Sequence, residues 1–343
     1  MIESVELRNF RNHTETRLDF SPTLTLIHGP NGAGKTSVLE SVYCLYRGSG
    51  FKGSDRDLVR EGADWFRVDL HDEGGSRRLS YDLGGERAVK KFIIDDKEYA
   101  RLPAKHKQPI ILFSPDDLLL LTGSPSRRRR YLDTMISQIN PQYPATLRRY
   151  ERALVQRNKL LKSPVCTPDL LFSWNVLLSE LGSVIIGERY RTGEYLNAKV
   201  TEYYRAISLD TARIGVSYEH QPVTSRQLLA AYDACYGRDL AVGATTVGPH
   251  RHDLAISMNG RSAMDVASRG ENRTIILVLK QLELDYVIDA TGREPLVLLD
   301  DVLGELDTRR QAATLEMFSR YQTIITGTHA SEIATPLQTI ELL

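Results

Sequence analysis

A chain of 343 residues with 41% apolar content can bury a large core and fold as two lobes. Its 44 Lys and Arg balance 44 Asp and Glu, so composition gives nucleic-acid binding no support, and any such surface must be local or built from two protomers. Cys44, Cys166 and Cys235 are too scattered for a disulfide framework or a zinc site, and with no apolar signal core and no run near ~20 apolar residues the expected setting is the cytoplasm, away from membranes.

Leu24-Thr-Leu-Ile-His28 reads as a buried strand, and Ser37 to Tyr46 as a helix with an apolar face at Val38, Leu39, Val42 and Leu45. Between them, Gly29-Pro30-Asn31-Gly32-Ala33-Gly34-Lys35-Thr36 fits G-x-x-x-x-G-K-[ST]. The glycines let the backbone turn tightly and aim its N–H groups at phosphates, at the positive end of the helix that Ser37 continues. Lys35 is expected to reach the β- and γ-phosphates, and the Thr36 hydroxyl to hold Mg²⁺. A glycine-rich loop that precedes Lys-Thr by chance would lack this flanking strand and helix.

Period-two alternation follows in Phe66 to Leu70, Leu79 to Leu83 and around Phe92-Ile-Ile94, separated by turn residues, and predicts an antiparallel meander. Gln108 precedes the apolar run Pro109 to Phe113 and is a candidate Mg²⁺-sensing glutamine. From about 125 to 240 the pattern turns helical, with a linker at Ser163 to Asp169. Arms of thirty-odd residues reach only ~50 Å at ~1.5 Å per residue, which excludes a long coiled coil. Arg127-Arg128-Arg129-Arg130 opens this region just after a Ser124-Pro125 helix start. The four are candidate DNA-binding residues, and the alternative is a solvated or internally paired charge run. Four consecutive helical residues spread round most of the circumference, so at most two face one ligand.

Near the end of the chain, Ala267-Ser268-Arg269-Gly270-Glu271 starts a long amphipathic helix, with Ser268 a natural N-cap. Leu296-Val-Leu-Leu-Asp300-Asp301 is an apolar strand ending in two acids, 265 positions after Lys35. Asp300 suits the Mg²⁺ shell, and Asp301 then orients or deprotonates the attacking water. Such a gap predicts one nucleotide-binding sheet with a large insertion. A Ser-x-Gly helix start ahead of paired acids is the arrangement of ABC-type ATPases, where Ser268 and Gly270 would hold the γ-phosphate of a nucleotide bound to the other subunit. The expected assembly is therefore an ATP-dependent head-to-tail homodimer. Asp307 in Gly304-Glu-Leu-Asp307 matches the dimer-facing loop of that class, and His329 follows the strand Gln322 to Thr326 as a candidate γ-phosphate sensor.

Taken together the motifs resemble the RecF family, bacterial recombination-repair ATPases related to SMC proteins. The resemblance runs through Leu7-Arg-Asn-Phe-Arg11-Asn12, Phe113-Ser-Pro-Asp-Asp117, Gly123 to Asp133, Thr246-Val-Gly248-Pro249-His250 and Asp300 to Asp307. It implies that Arg11 and Asn12 approach the nucleotide. It implies an α/β fold: an ABC/SMC-type P-loop ATPase head of mixed sheet plus antiparallel meander, formed by 1–112 and 245–343 with the signature helix near 268–289. A mainly helical lobe with a short arm is inserted over 113–244. The implied activity is slow, DNA-stimulated ATP hydrolysis with ATP and Mg²⁺ as cofactors. ATP-driven dimerisation would clamp duplex DNA near single-strand gaps, with RecO and RecR as partners that help load RecA. Two residues depart from the family's pattern: Glu271 stands where Gln is expected, and His329 where Thr is expected.

The same residues admit other readings. A transporter engine shares the sandwich but has no use for the short arm or the Gly-Pro-His block. A small-molecule kinase has no use for a signature helix. A nucleotide-stabilised scaffold without hydrolysis gains some support from Glu271.

Overall fold

A computed structural model describes residues 1–208, 211–328 and 338–342. The chain divides into two compact units, Met1–Leu118 with Val287–Leu343, and Leu119–Tyr286.

The first unit opens on a hairpin, β1 (Ile2–Phe10) and β2 (His13–Asp19), paired antiparallel from Ser4 opposite Asp19 to Phe10 opposite His13. After β3 (Leu24–His28) and α1 (Lys35–Arg47) come β4 (Trp65–Asp72), β5 (Gly75–Asp82), β6 (Val89–Ile94) and β7 (Lys97–Tyr99). These complete a six-stranded antiparallel sheet in the order β2-β1-β4-β5-β6-β7. The alternation in β4 decides its faces: Phe66, Val68 and Leu70 are fully buried, while the polar residues between them stay partly in water. Burying each such side chain is worth about 1.5–3 kcal/mol, which holds the meander on the core that α1 also fills through Val38, Leu39, Val42 and Leu45.

The second sheet of this unit is parallel. β8 (Ile110–Phe113) lies beside β12 (Leu296–Asp300), then β13 (Thr323–Gly327), β3 and β14 (Gln338–Glu341). Every residue of β12 and β13 is buried, as strands covered on both faces require. Parallel pairing collects the carboxyl ends of β3, β12 and β13 at one edge, where open α/β sheets bind ligands. Helix α9 (Thr308–Phe318) joins β12 to β13 and is capped by Asp307, which accepts from the Arg310 amide.

The second unit contains α2 (Pro125–Ile139), α3 (Tyr143–Leu161), α4 (Pro168–Ser208), α5 (Ser225–Ala234), α6 (Tyr236–Val242), the short α7 (Ala263–Val266) and most of α8 (Arg269–Thr291). Helix α4 runs 41 residues, about 60 Å at ~1.5 Å per residue. Its buried stripe recurs every three or four residues, at Leu171, Asn175, Leu178, Gly182, Ile185, Arg189, Thr192, Leu196, Val200 and Tyr204. It holds a window long and apolar enough to cross a membrane, contrary to the sequence expectation. That apolarity is used against α3, α5 and β9, against which the helix packs.

A small sheet, β9 (Ile214–Tyr218), β10 (Leu254–Met258) and β11 (Arg261–Ser262), was not expected from the sequence. It also changes the organisation. Residues 245–286, expected with the head, group with the second unit because β10 pairs with β9 from Leu254 opposite Tyr218 to Met258 opposite Ile214.

Candidate functional site

The loop between β3 and α1 is braced by the β1–β2 hairpin. Asn12 Nδ2 donates to the Gly32 carbonyl at 2.7 Å, and the Ser37 hydroxyl donates to Asn12 Oδ1 at 3.3 Å. His13 Nε2 donates to the Gly34 carbonyl at 3.1 Å, which leaves Nδ1 to accept from Thr16 at 2.9 Å. Burial lowers the His13 pKa, and the bond to Gly34 opposes that shift. Two glycines are obligatory here. At Gly34, with φ +91°, an added Cβ would lie 2.3 Å from His13 Nε2; at Gly29, with φ +152°, it would lie 2.1 Å from the Leu342 carbonyl oxygen.

Helix α1 starts at Gly34 with no side-chain cap, so its first N–H groups are left for an anion. The Lys35 ammonium lies against the loop's own carbonyls, 2.7 Å from Gly29 and 3.0 Å from Pro30. Across 264 positions, the Thr36 hydroxyl donates to Asp300 Oδ1 at 2.6 Å. Asp300 is 2% exposed, and its Oδ1 also accepts from Thr326 at 3.1 Å. Asp301 follows in the left-handed region, φ 53°, with its amide donating to Thr326 Oγ1 at 2.9 Å. Thr36 and Asp300 supply oxygen donors only, the kind that suits a hard divalent cation such as Mg²⁺.

Lys35, Thr36 and Asp301 line a cleft of about 850 Å³ together with Arg11, Asn12, Asn31 and Thr326. Its remaining wall, Asp57, Val59, Arg60 and Glu61, escaped the sequence reading. So did three supports: His13, Glu40 and Lys52. Glu40 is buried in α1 and accepts from Arg11 Nε at 3.0 Å, from Arg11 Nη2 at 2.8 Å and from the Lys52 amide at 2.9 Å. The sequence held no signal for Glu40: at ~100° per residue it falls on the side of α1 away from Val38, Val42 and Leu45, where a carboxylate is ordinary.

Several expected residues lie elsewhere. Gln108 is a correction: it precedes β8, which pairs with β12 from Leu296 opposite Ile110, so it stands at the end of the sheet remote from Asp300. Its amide oxygen accepts from Arg293 instead. Arg128 is a correction too. Arg128 is spent on Asp253, with bonds of 2.8 and 2.7 Å, and on the carbonyls of Leu120, Leu121 and Gly123. Arg129 donates to the His252 carbonyl at 2.9 Å. Arg127 is half-buried, and Arg130 is exposed. Ser268 and Gly270 belong to the second unit, at the start of α8. Asp307 caps α9, and its pKa is lowered chiefly by the Arg310 amide. His329 lies outside the described residues.

The Thr246-Val-Gly248-Pro249-His250 block is a packing knot of the second unit. A Cβ at Gly248 would lie 2.6 Å from both the Tyr150 and Tyr232 hydroxyls. His250 Nε2 donates to the Thr245 carbonyl at 3.0 Å, so Nδ1 accepts from Tyr150 at 2.8 Å. Arg189 holds the Pro249 carbonyl at 2.7 Å.

Comparison with known proteins agrees with this architecture. A family model described as an AAA domain matches residues 4–145. The chain is 33% identical over 347 residues to "DNA replication and repair protein RecF" of Ruminiclostridium cellulolyticum, covering 96% of this chain and 93% of that protein. A solved structure of "the recombination mediator protein RecF-ATPrS in RecFOR pathway" superposes with a TM-score of 0.88 at 28% identity, over 100% of this chain and 96% of that one. One of "RecF-ATP" gives 0.83 at 30% identity, over 97% and 93%. An Smc head bound to the C-winged helix domain of ScpA shares the fold, with a TM-score of 0.56 at 15% identity over 99% and 93%.

Proposed function

The chain belongs to the RecF family of DNA replication and repair proteins, and on that premise we propose that it is an ATP-switched DNA clamp. One observation carries the reading: Thr36 and Asp300, 264 positions apart, meet at 2.6 Å beside an uncapped helix N-terminus. That convergence makes sense for a metal-bound polyphosphate, since it joins an anion site to a hard-cation site in one cleft.

In this reading the amides of Gly32 to Thr36 and the Lys35 ammonium bind the β- and γ-phosphates. Thr36 and Asp300 hold Mg²⁺, which when bound neutralises charge on the phosphate oxygens. Asp301 orients the attacking water and takes its proton. Its left-handed backbone and the bond from its amide to Thr326 set the direction of that carboxylate. Arg11 and Asn12 wall the nucleotide's cleft, and Arg11 is aimed by Glu40. Ser268 and Gly270 of a second copy seal the γ-phosphate, so ATP closes a head-to-tail homodimer.

Closure creates the surface that grips duplex DNA near a gap, and hydrolysis opens it. The neighbouring structures are described within the RecFOR pathway, which supports RecO and RecR as partners in loading RecA. The deciding experiment is sizing the protein with and without ATP, each with and without duplex DNA. A dimer that forms only with ATP and retains DNA supports the clamp. Monomers under all four conditions end it.

A further inference from the structure

The carboxylate assigned to the metal already has a cationic neighbour. Asp300 Oδ1 is taken by the Thr36 and Thr326 hydroxyls, whereas Oδ2 faces Lys52 Nζ at 3.2 Å. Lys52 reaches it from a pinned backbone. Its amide donates to Glu40 Oε1 at 2.9 Å, and its carbonyl accepts from Arg11 Nη2 at 3.0 Å. Two residues earlier, a Cβ at Gly50 would lie 2.7 Å from Glu40 Oε1, so any larger residue there would push the Glu40 carboxylate aside. The ammonium is thus presented to Asp300 from a fixed base. The side chain itself is 46% exposed and can turn into water.

An ammonium and a divalent cation compete for one carboxylate. Each is stabilised by it and each repels the other, and Asp300 is too buried for water to screen them well. We propose that Lys52 is a built-in competitor for the cation-binding carboxylate Asp300, neutralising it and setting the divalent-cation concentration at which the site fills. Cation entry expels the Lys52 ammonium from Oδ2. The inference rests on the reading above that Asp300 is a metal ligand.

The test measures Mn²⁺ binding to the full chain, without nucleotide, from the electron paramagnetic resonance signal of the free ion. Lys52→Met should bind Mn²⁺ about two- to fivefold more tightly than the unaltered protein, the factor expected for losing a half-exposed ion pair. Lys52→Arg, which keeps the charge, should stay near the unaltered value. Asp300→Asn should abolish the binding, and Thr36→Ala should weaken it and serves in its place if the buried Asn variant does not fold. Unchanged or weaker binding in Lys52→Met, with Asp300→Asn silent, overturns the competition and leaves the metal assignment standing. Full binding in Asp300→Asn and Thr36→Ala removes the metal assignment and the proposal with it.

Discussion

Ser268 and Glu271 cap each other at the start of α8. The Ser268 amide donates to Glu271 Oε2 at 2.7 Å, and the Glu271 amide donates to Ser268 Oγ at 3.3 Å. This is a capping box, and it gives the residue that departs from the family's Gln a structural task. It also leaves a carboxylate at the helix end proposed to receive a γ-phosphate. Gln keeps the cap and removes the charge, so Glu271→Gln should tighten ATP-dependent dimerisation about fivefold, the factor for one exposed charge contact in water. Thermal stability should barely change. Dimerisation measured by sizing against ATP concentration checks it; an unaltered midpoint removes the charge argument.

The arginine run separates into structural and exposed members. Arg128 and Asp253 are 12% and 19% exposed and doubly bonded, so Arg128→Gln should cost about 3 kcal/mol, the usual cost of breaking a mostly buried pair. Arg130→Gln should leave stability alone. If the proposed clamp holds DNA through this run, Arg130 is the exposed member available to phosphate, and its loss should lower duplex affinity and reduce the salt dependence by about one unit of slope. Duplex titrations at several salt concentrations, beside melting curves, separate the two. DNA binding lost in Arg128→Gln without any loss of stability would contradict the division.

Two histidines of the second unit make stability pH-dependent. Burial pushes the His250 pKa down to about 4 and that of His252 down to about 3. Unfolded, each takes a proton near 6.5. The unfolded state therefore binds more protons below that pH. The contribution is complete above pH 6.5 and is lost as pH falls toward 4 and then 3. At pH 5 the loss is at most about 2 kcal/mol per histidine. Melting midpoints should fall between pH 7 and 5, and the His250→Gln, His252→Gln double variant should show a flatter profile. An identical slope would assign the acid sensitivity to other groups.

What could be read from the sequence followed from contiguity. The phosphate loop, the apolar β12 and the alternation of β4 are local patterns, and each sits where the pattern implied. Gln108 was misplaced because its role depends on which end of β8 meets Asp300, and that is fixed only by pairing with β12. The arginine run left DNA contact and internal pairing both open in the sequence, because Asp253 lies 125 positions from Arg128. Arg157 sits among the buried positions of α3, fully buried against Asp239 and Asn175. No periodicity announces a charge neutralised from so far along the chain. The β9–β10 pairing was hidden in the same way, since each strand is only five residues long.

Asp301 offers the sharpest division between binding and hydrolysis. Its φ of 53° is tolerated by Asp and Asn better than by other side chains, so Asp301→Asn should fold without added strain. The amide bonds to Thr326 and the Thr36–Asp300 pair do not depend on the Asp301 carboxylate, so nucleotide and metal sites should persist. What disappears is the negative oxygen that would take a proton from water. Hydrolysis should drop at least about 100-fold, within the range for losing a general base. The ATP-dependent dimer should then outlast that of the unaltered protein and hold duplex DNA longer. Lys35→Arg should differ: hydrolysis falls, but the dimer weakens as well, because the ammonium 2.7 Å from the Gly29 carbonyl belongs to the proposed phosphate cradle itself. Nucleotide binding, phosphate release and dimer lifetime measured on both variants decide it. A long-lived dimer in Lys35→Arg together with a short-lived one in Asp301→Asn would reverse the roles given to the two residues.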